Sequence, residues 1–384
     1  MRRAGVGCVL LLAMLAIPGV QGAAAQRGGP DRLDRIAHIV VIYEENHSFD
    51  NLYGRWEGVN GLSQADPPHT TQVSQAGQPY ACLQQNDVNL TSPPLGATCT
   101  DTTTGTPFSS AFSNAPFAID DVIGPSDRTC PPPGTLAPHG VAKGQGEPGG
   151  CTEDLVHRFY QEHYQLDGVR QDRYVTGSDA VGLTMGGYRT QDLPIYRYLH
   201  QGGHPHYAVA DDFFQGAFGG SFLNHQWLIA AATPTWPNPP ASSRSQVDSN
   251  GMPISYPLYN ATGPVADGRV TATCAQVAAV GQPDLGCGDY AVNTTQPPYQ
   301  PIQPGTPQAN LLPPQTAPTI GDRLSGADID WAWYSGGWSN ADGDVGAPGW
   351  TNGNGPTCSD PNTLRRRPVP ELPRQAVPVP PPTV

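Results

Sequence analysis

Between Ile36 and Gly54 the chain reads IAHIVVIYEENHSFDNLYG, and this stretch sets the terms for the rest. The apolar, β-branched run from Ile39 to Tyr43 stops at Glu44, Glu45, Asn46 and His47. A short continuous apolar run bounded by polar residues predicts a strand buried on both faces, as in parallel sheets. Ligand sites of open α/β sheets lie beyond the carboxyl ends of such strands. Oxygen ligands placed there suit a hard or borderline metal ion. Glu45 and Asn46 fit a second role equally well: they could cap a helix starting near Ser48.

Ahead of that stretch, Arg2 and Arg3 precede an apolar region from Val6 to Val20, and Ala23, Ala24 and Ala25 offer a small-residue cleavage site. Residues 1–25 therefore read as a signal peptide and the protein as exported, periplasmic or secreted. No other segment is apolar for the length a membrane span needs. The net charge is -13, and loss of the two leader arginines takes it to -15. That acidity excludes the basic footprint of a nucleic-acid binder. Cysteine usage agrees with export: Cys82 and Cys99, Cys130 and Cys151, and Cys274 and Cys287 are spaced as sequential disulfide pairs, with Cys358 left over. None of these spacings is a zinc signature.

Residues 26–35 are a polar lead-in. From Asn60 to Gly150 the chain turns to Pro, Gly, Ser, Thr and Asn, too poor in apolar residues for its own core and expected to be a disulfide-pinned surface excursion. A helix is predicted after Cys151, with Leu155, Phe159, His163 and Leu166 on one face, Thr152 and Asp154 at its start, and His157 on it. A second helix is predicted over Gln191–His200, with Pro194 in its first turn. Tyr207–Phe214 reads as extended and partly buried, Gly216–Gly220 as a turn, and Ser221–Ala232 as a helix. After a Pro/Gly-rich stretch over 233–318, with a β-like piece near Arg269–Thr273, Thr319 and Asp322 mark another helix start. DWAWYSGGW then suits a strand packed on one face, its tryptophans in the core. Residues 364–384 are Pro- and Arg-rich and are expected to be a disordered, polyproline-like tail.

The other arrangement able to do chemistry is GGSFLNHQ, residues 219–226. Ser221 follows two glycines at a predicted helix N-terminus, where the backbone can approach a substrate and unpaired N–H groups favour an anion. It can be a nucleophile or an ordinary N-cap. Asn224 and His225 lie about one turn further on and can face the same ligand. GGSFL lacks the second glycine of a nucleophile elbow, which disfavours an α/β-hydrolase. His204 and His206 receive no role.

Taken together, EENHSFDNLYG, DLVHRFYQEHYQLDG, GLTMGGYRTQDLPIYRYL, FFQGAFGGSFLNHQ and TIGDRLSGADIDWAWYSGGW resemble, in order, the motifs of the bacterial phosphoesterases, the family of phospholipases C and secreted acid phosphatases. The resemblance implies an α/β, alkaline-phosphatase-like sandwich, a mostly parallel sheet with helices on both faces, here over residues 26–363 and with long disulfide-pinned loops. It implies a divalent metal ion and a phosphate-ester substrate. Residue by residue, Glu45 and Asn46 match metal ligands and Ser221 a metal-bound nucleophile. His157 and Asn224 match the phosphate pocket, with His225 beside them. GGSFLNH leans toward the acid-phosphatase branch, so the reading is an exported, metal-dependent phosphoric-ester hydrolase. Its alternatives are a phospholipase C and a truncated, inactive secreted fragment. The family's later histidine and Asp-Asp motifs have no counterpart after Trp350, so the fold is expected to be incomplete at its C-terminus.

Overall fold

A single short helix gathers much of the buried structure. The computed structural model describes residues 36–43, 47–85, 96–122, 155–202, 207–298 and 307–334. In chain order its helices are α1 (Phe49–Leu52), α2 (Pro67–Thr70), α3 (Phe159–Leu166), α4 (Pro194–His200), α5 (Ser221–Ala230), α6 (Cys274–Ala279) and α7 (Ile320–Gly326). Helix α3 buries Tyr160, Gln161, Tyr164 and Gln165, two adjacent pairs spaced four apart and hence on one side. Tyr160 packs with Val247, Ala272 and Val277, and Tyr164 with Met252 and Tyr259. The Tyr160 hydroxyl donates to the Gly286 carbonyl at 2.6 Å and accepts the Ala272 N–H at 2.9 Å. The Gln165 amide donates to the carbonyls of Val156 and Gly177. Side-chain hydrogen bonds thus satisfy loop backbone that no sheet supplies.

The strands are two or three residues long: β1 (Cys82–Leu83), β2 (Cys99–Asp101), β3 (Phe108–Ser110), β4 (Phe112–Ser113), β5 (Phe117–Ala118) and β6 (Gly186–Gly187). They form three pairs, β1–β4 and β2–β3 antiparallel and β5–β6 parallel. The expected mostly parallel sheet is therefore not built among the described residues. Residues 36–43, which belong to a separate unit ending at Glu44, carry no regular secondary structure, and Ile39 and Val40 are 81% and 82% exposed. The predicted buried strand is corrected here. An apolar run can be buried as a strand only where ladder partners take up its N–H and C=O groups, and it joins no ladder among the described residues.

The segment after Asn60 also differs from expectation. Tyr80, Leu83, Phe112 and Ile119 are buried with Val175, Ala180, Val181, Leu183 and Leu258 in the largest apolar cluster. Scattered aromatic and aliphatic residues suffice because residues 175–183 supply the rest of that core. The Cys82–Cys99 and Cys274–Cys287 disulfides form as expected. Cys130, Cys151 and Cys358 lie outside the described residues, as do the leader and the tail.

Helices announced by caps appear where the sequence puts them. Pro194 opens α4, and Thr319 and Asp322 exchange capping hydrogen bonds at α7. The tryptophans after α7 are not in the core: residues 329–334 lack regular structure, and Trp331 and Trp333 are 50% and 60% exposed. Trp331 instead lays its ring on Gly321 and donates to the Ser325 hydroxyl, so α7 covers one of its faces. Phe213 and Phe214, expected to be partly buried, are likewise exposed, in a segment without regular structure.

Candidate active site

Helix α5 begins where the glycine-rich turn ends. Gly220 is its N-cap, in extended backbone, and Ser221 is the first helical residue. The Ser221 hydroxyl is thus released from capping, and among the described residues it has no hydrogen-bond partner. The N–H groups of Ser221, Phe222 and Leu223 also lack acceptors among the described residues, as helix geometry requires of a first turn. Gly219 has φ of 156°, and a Cβ there would meet Leu223 at 2.8 Å. At Gly220 a Cβ would meet the His157 carbonyl oxygen at 2.7 Å, so only glycine lets the turn close on His157.

His157 does not sit on a helix, as its spacing predicted. Residues 155–158 are non-helical and α3 starts at Phe159, after Arg158 in extended backbone. The local hydrogen bonds explain the late start. The Val156 N–H goes to the Asp179 carboxylate and the Val156 carbonyl to Gln165. His157 Nδ1 donates to the Leu155 carbonyl at 2.6 Å, since a carbonyl can only accept. This fixes the ring and leaves Nε2 for other contacts.

Asn224 is tied back onto the turn. Its side-chain amide donates to the Gly219 carbonyl at 2.6 Å and its N–H to the Gly220 carbonyl at 3.2 Å. Its Oδ1 is buried and has no partner among the described residues. A buried amide oxygen without a donor is unusual and marks a place where a ligand group can be received. His225 is exposed, on another side of α5.

One site residue had no signal in the sequence. Glu162, on α3, lies near enough to His157 and to the Gly219 N–H for both to favour its charged form. Burial pushes its carboxyl up to about 7, while His157 and Gly219 pull it down. A lone acid inside YQEHYQ looks like any other helical glutamate. Burial, followed by the Glu162 and Asp50 carboxylates, raises the Tyr174 phenol to about 12. Asp50, on α1, is itself raised by burial.

At α1 the N-cap is Ser48, whose hydroxyl accepts the Asn51 N–H at 3.1 Å. Glu45 and Asn46, the other residues with a possible capping role there, lie outside the described residues. Among the described residues no three His, Cys, Asp or Glu side chains converge as a metal site. The donors present, the Ser221 hydroxyl and the orphaned Asn224 oxygen, are hard oxygen atoms. They fit a hard divalent cation in kind, without completing its shell.

The sequence model of the Phosphoesterase family matches residues 36–371, which is most of the chain. This chain belongs to the phosphoesterase family. Among curated proteins it is similar to Phospholipase C A of Mycobacterium tuberculosis, with 25% identity over 237 residues, covering 60% of this chain and 36% of that protein. Phospholipase C B of the same organism is 24% identical over 251 residues, covering 63% of this chain and 38% of that protein. The alignments thus take in little more than a third of each relative. No solved structure matches. The phosphoesterase match spans the Ser221 turn, His157 and Glu162 alike.

Proposed function

We propose that this phosphoesterase hydrolyses phosphoric esters with Ser221 as nucleophile. The observation that carries the reading is the freed Ser221 hydroxyl at the start of α5, one residue from a glycine packed on His157 and one turn from Asn224. In this reading Ser221 Oγ attacks phosphorus, the P–O bond to the leaving alcohol breaks, and the alcohol departs with a proton. Water then cleaves the phosphoserine, releasing phosphate and restoring the hydroxyl. The unpaired N–H groups of the α5 first turn receive phosphoryl oxygens, and the His157 imidazole and the Asn224 amide bind and orient the group. Glu45, Asn46 and Ser221 would hold a divalent cation, which when bound lowers the pKa of a coordinated hydroxyl and neutralises phosphoryl charge. His225 is a peripheral member at most, given its exposure.

GGSFLNH supports a phosphomonoesterase of the acid-phosphatase kind, and the relatives named phospholipase C support the second reading. An alkaline-phosphatase-like α/β core is the fold that goes with either. Export suits the two disulfides, which persist in oxidising compartments. Among the described residues no helix is long and apolar enough to cross a membrane.

The test is turnover of p-nitrophenyl phosphate and of phosphatidylcholine by the purified chain with added divalent metal, beside Ser221→Ala. The expected result is hydrolysis of the monoester and a loss on the order of 1,000-fold or more in the variant. Preference for phosphatidylcholine would select the phospholipase. Turnover by neither the chain nor a version extended to the relatives' length, or full activity in the variant, would sink the serine mechanism.

A further inference from the structure

The C-terminal end of α4 meets the loop after α1 at a second cluster of titratable side chains, which shares no residue with the Ser221 centre. His200 closes α4, and its two ring nitrogens face acceptors on both sides. Nδ1 lies 2.7 Å from the Tyr196 carbonyl and Nε2 2.5 Å from a Glu57 carboxylate oxygen. The Tyr196 hydroxyl donates to the other Glu57 oxygen at 3.0 Å, and the Tyr207 hydroxyl stands 3.2 Å from Nε2. The His200 ring stacks on Tyr196 with 3.8 Å between centroids, and the buried Trp56 ring packs against Tyr196, His200 and Tyr207 together. Among the described residues, Glu57, Tyr196 and Tyr207 are the titratable groups facing this imidazole; the neighbouring Arg197 turns instead to Asp192.

We propose that His200 is a pH-sensitive latch, its imidazolium form holding the end of α4 and the Tyr207 segment against Trp56 and Glu57, and its neutral form letting them loosen. The argument is one of donors and acceptors. A carbonyl can only accept, and so can an ionised carboxylate. Both nitrogens of His200 must therefore carry a proton, and only the imidazolium does that. Its charge also suits the face of Tyr196, on which the ring lies. A neutral ring that keeps its proton toward Tyr196 turns a lone pair on Glu57, and that contact becomes repulsive. The pKa of His200 is raised, first by the Glu57 hydrogen bond and then by the Tyr196 carbonyl, which is the direction this geometry requires. The contact therefore stabilises at acid pH and is lost as pH climbs above the ordinary histidine range. Loosening is confined to one end of α4. The other end is pinned by bonds that do not titrate: the Thr190 hydroxyl donates to the Leu52 carbonyl and the Gln191 amide to the Arg55 carbonyl. The Tyr196 hydroxyl can donate to Glu57 in either state, which limits the amplitude. Tyr207 opens the segment that runs on to the Ser221 turn, and Asp211 takes the Asn60 N–H at 2.7 Å as a second tether. The latch thus sets how firmly the path into that turn is anchored, and it holds whether or not Ser221 attacks phosphorus.

Two measurements on the full chain test it: titration of the His200 Cε1 proton by NMR, and hydrogen exchange of peptides containing His200 and Tyr207, corrected for the intrinsic rate at each pH. The His200 midpoint should lie above the ordinary histidine value of about 6.5. Protection of those peptides, relative to peptides around Tyr259, should fall about 3-fold or more between roughly pH 5.5 and roughly pH 9. In Glu57→Gln the amide can donate to a neutral ring or accept from a charged one. There the midpoint should drop toward the ordinary value and the pH dependence of protection should vanish. His200→Gln, which cannot titrate, should likewise show level protection. A wild-type midpoint at or below about 6.5, level protection in the wild type, or a pH dependence that persists in both variants would overturn the proposal. If His200→Gln fails to fold, Glu57→Gln decides: loss of the pH dependence supports the latch and its retention refutes the latch.

Discussion

The carbonyl oxygen of His157 stands 2.7 Å from where a Cβ on residue 220 would be, closer than real side chains tolerate. Gly220→Ala must therefore push the His157 segment away from the Ser221 turn or break the α5 N-cap. The expected cost is about 1–3 kcal/mol of stability, in the range of overpacking, with a larger fall in turnover. Thermal melts beside kinetics on the same sample check it. Wild-type activity in Gly220→Ala would mean that His157 and Ser221 need not be close.

Both features with a possible capping role were legible as alternatives, and the backbone settles one of them. Gly220 is the N-cap of α5, so the Ser221 hydroxyl is not engaged as its cap, while Ser48 is the N-cap of α1 and Glu45 and Asn46 lie outside the described residues. Caps and prolines act within one turn of chain, which is why α4 and α7 could be located from Pro194 and from the Thr319–Asp322 pair. What a local pattern cannot hold is a partner distant in sequence. The run Ile39–Tyr43 encodes a willingness to be a strand and says nothing of what pairs with it. Glu162 comes near Gly219 across 57 residues. The buried loops around α3 hang on the amides of Gln161 and Gln165, and on Gln72 further up the chain, which no hydrophobic period reveals. Trp331 and Trp333 misled for a related reason: an aromatic is core only where something covers it.

At Asn224 stability and function should part company. Truncation to Ala loses the bond to the Gly219 carbonyl but also removes a buried oxygen without a donor, and these effects oppose each other. The melting temperature of Asn224→Ala is expected within about 3 °C of wild type, the equivalent of roughly 1 kcal/mol. Affinity for inorganic phosphate, read by calorimetry, should weaken about 10-fold or more. A large drop in melting temperature with unchanged phosphate binding would make Asn224 structural.

Glu162 gives a pH dependence with a definite sign. Its folded carboxyl sits at about 7, above the ordinary carboxylate range, so between those values the native state binds more protons than the unfolded chain. Its contribution to stability therefore falls as pH rises through that window, and the penalty is complete above 7. His163, whose pKa burial lowers, acts in the opposite sense: it costs stability as pH falls below the usual histidine range. Glu162→Gln should melt as wild type does near pH 5 and higher than wild type near pH 8, by about 4 °C or more. Equal melting curves at both pH values would refute a buried, ionising Glu162.

The uncovered run from Ile39 to Ile42 carries a consequence for the molecule in solution rather than for its chemistry. AHIVVIY is uncharged apart from a histidine, free of proline and dense in β-branched residues, the composition of dry interdigitating fibril spines. With its side chains bare, each copy offers every other copy a template, and self-association competes with solubility at high protein concentration. A charged residue in place of Val40 would act as a gatekeeper there.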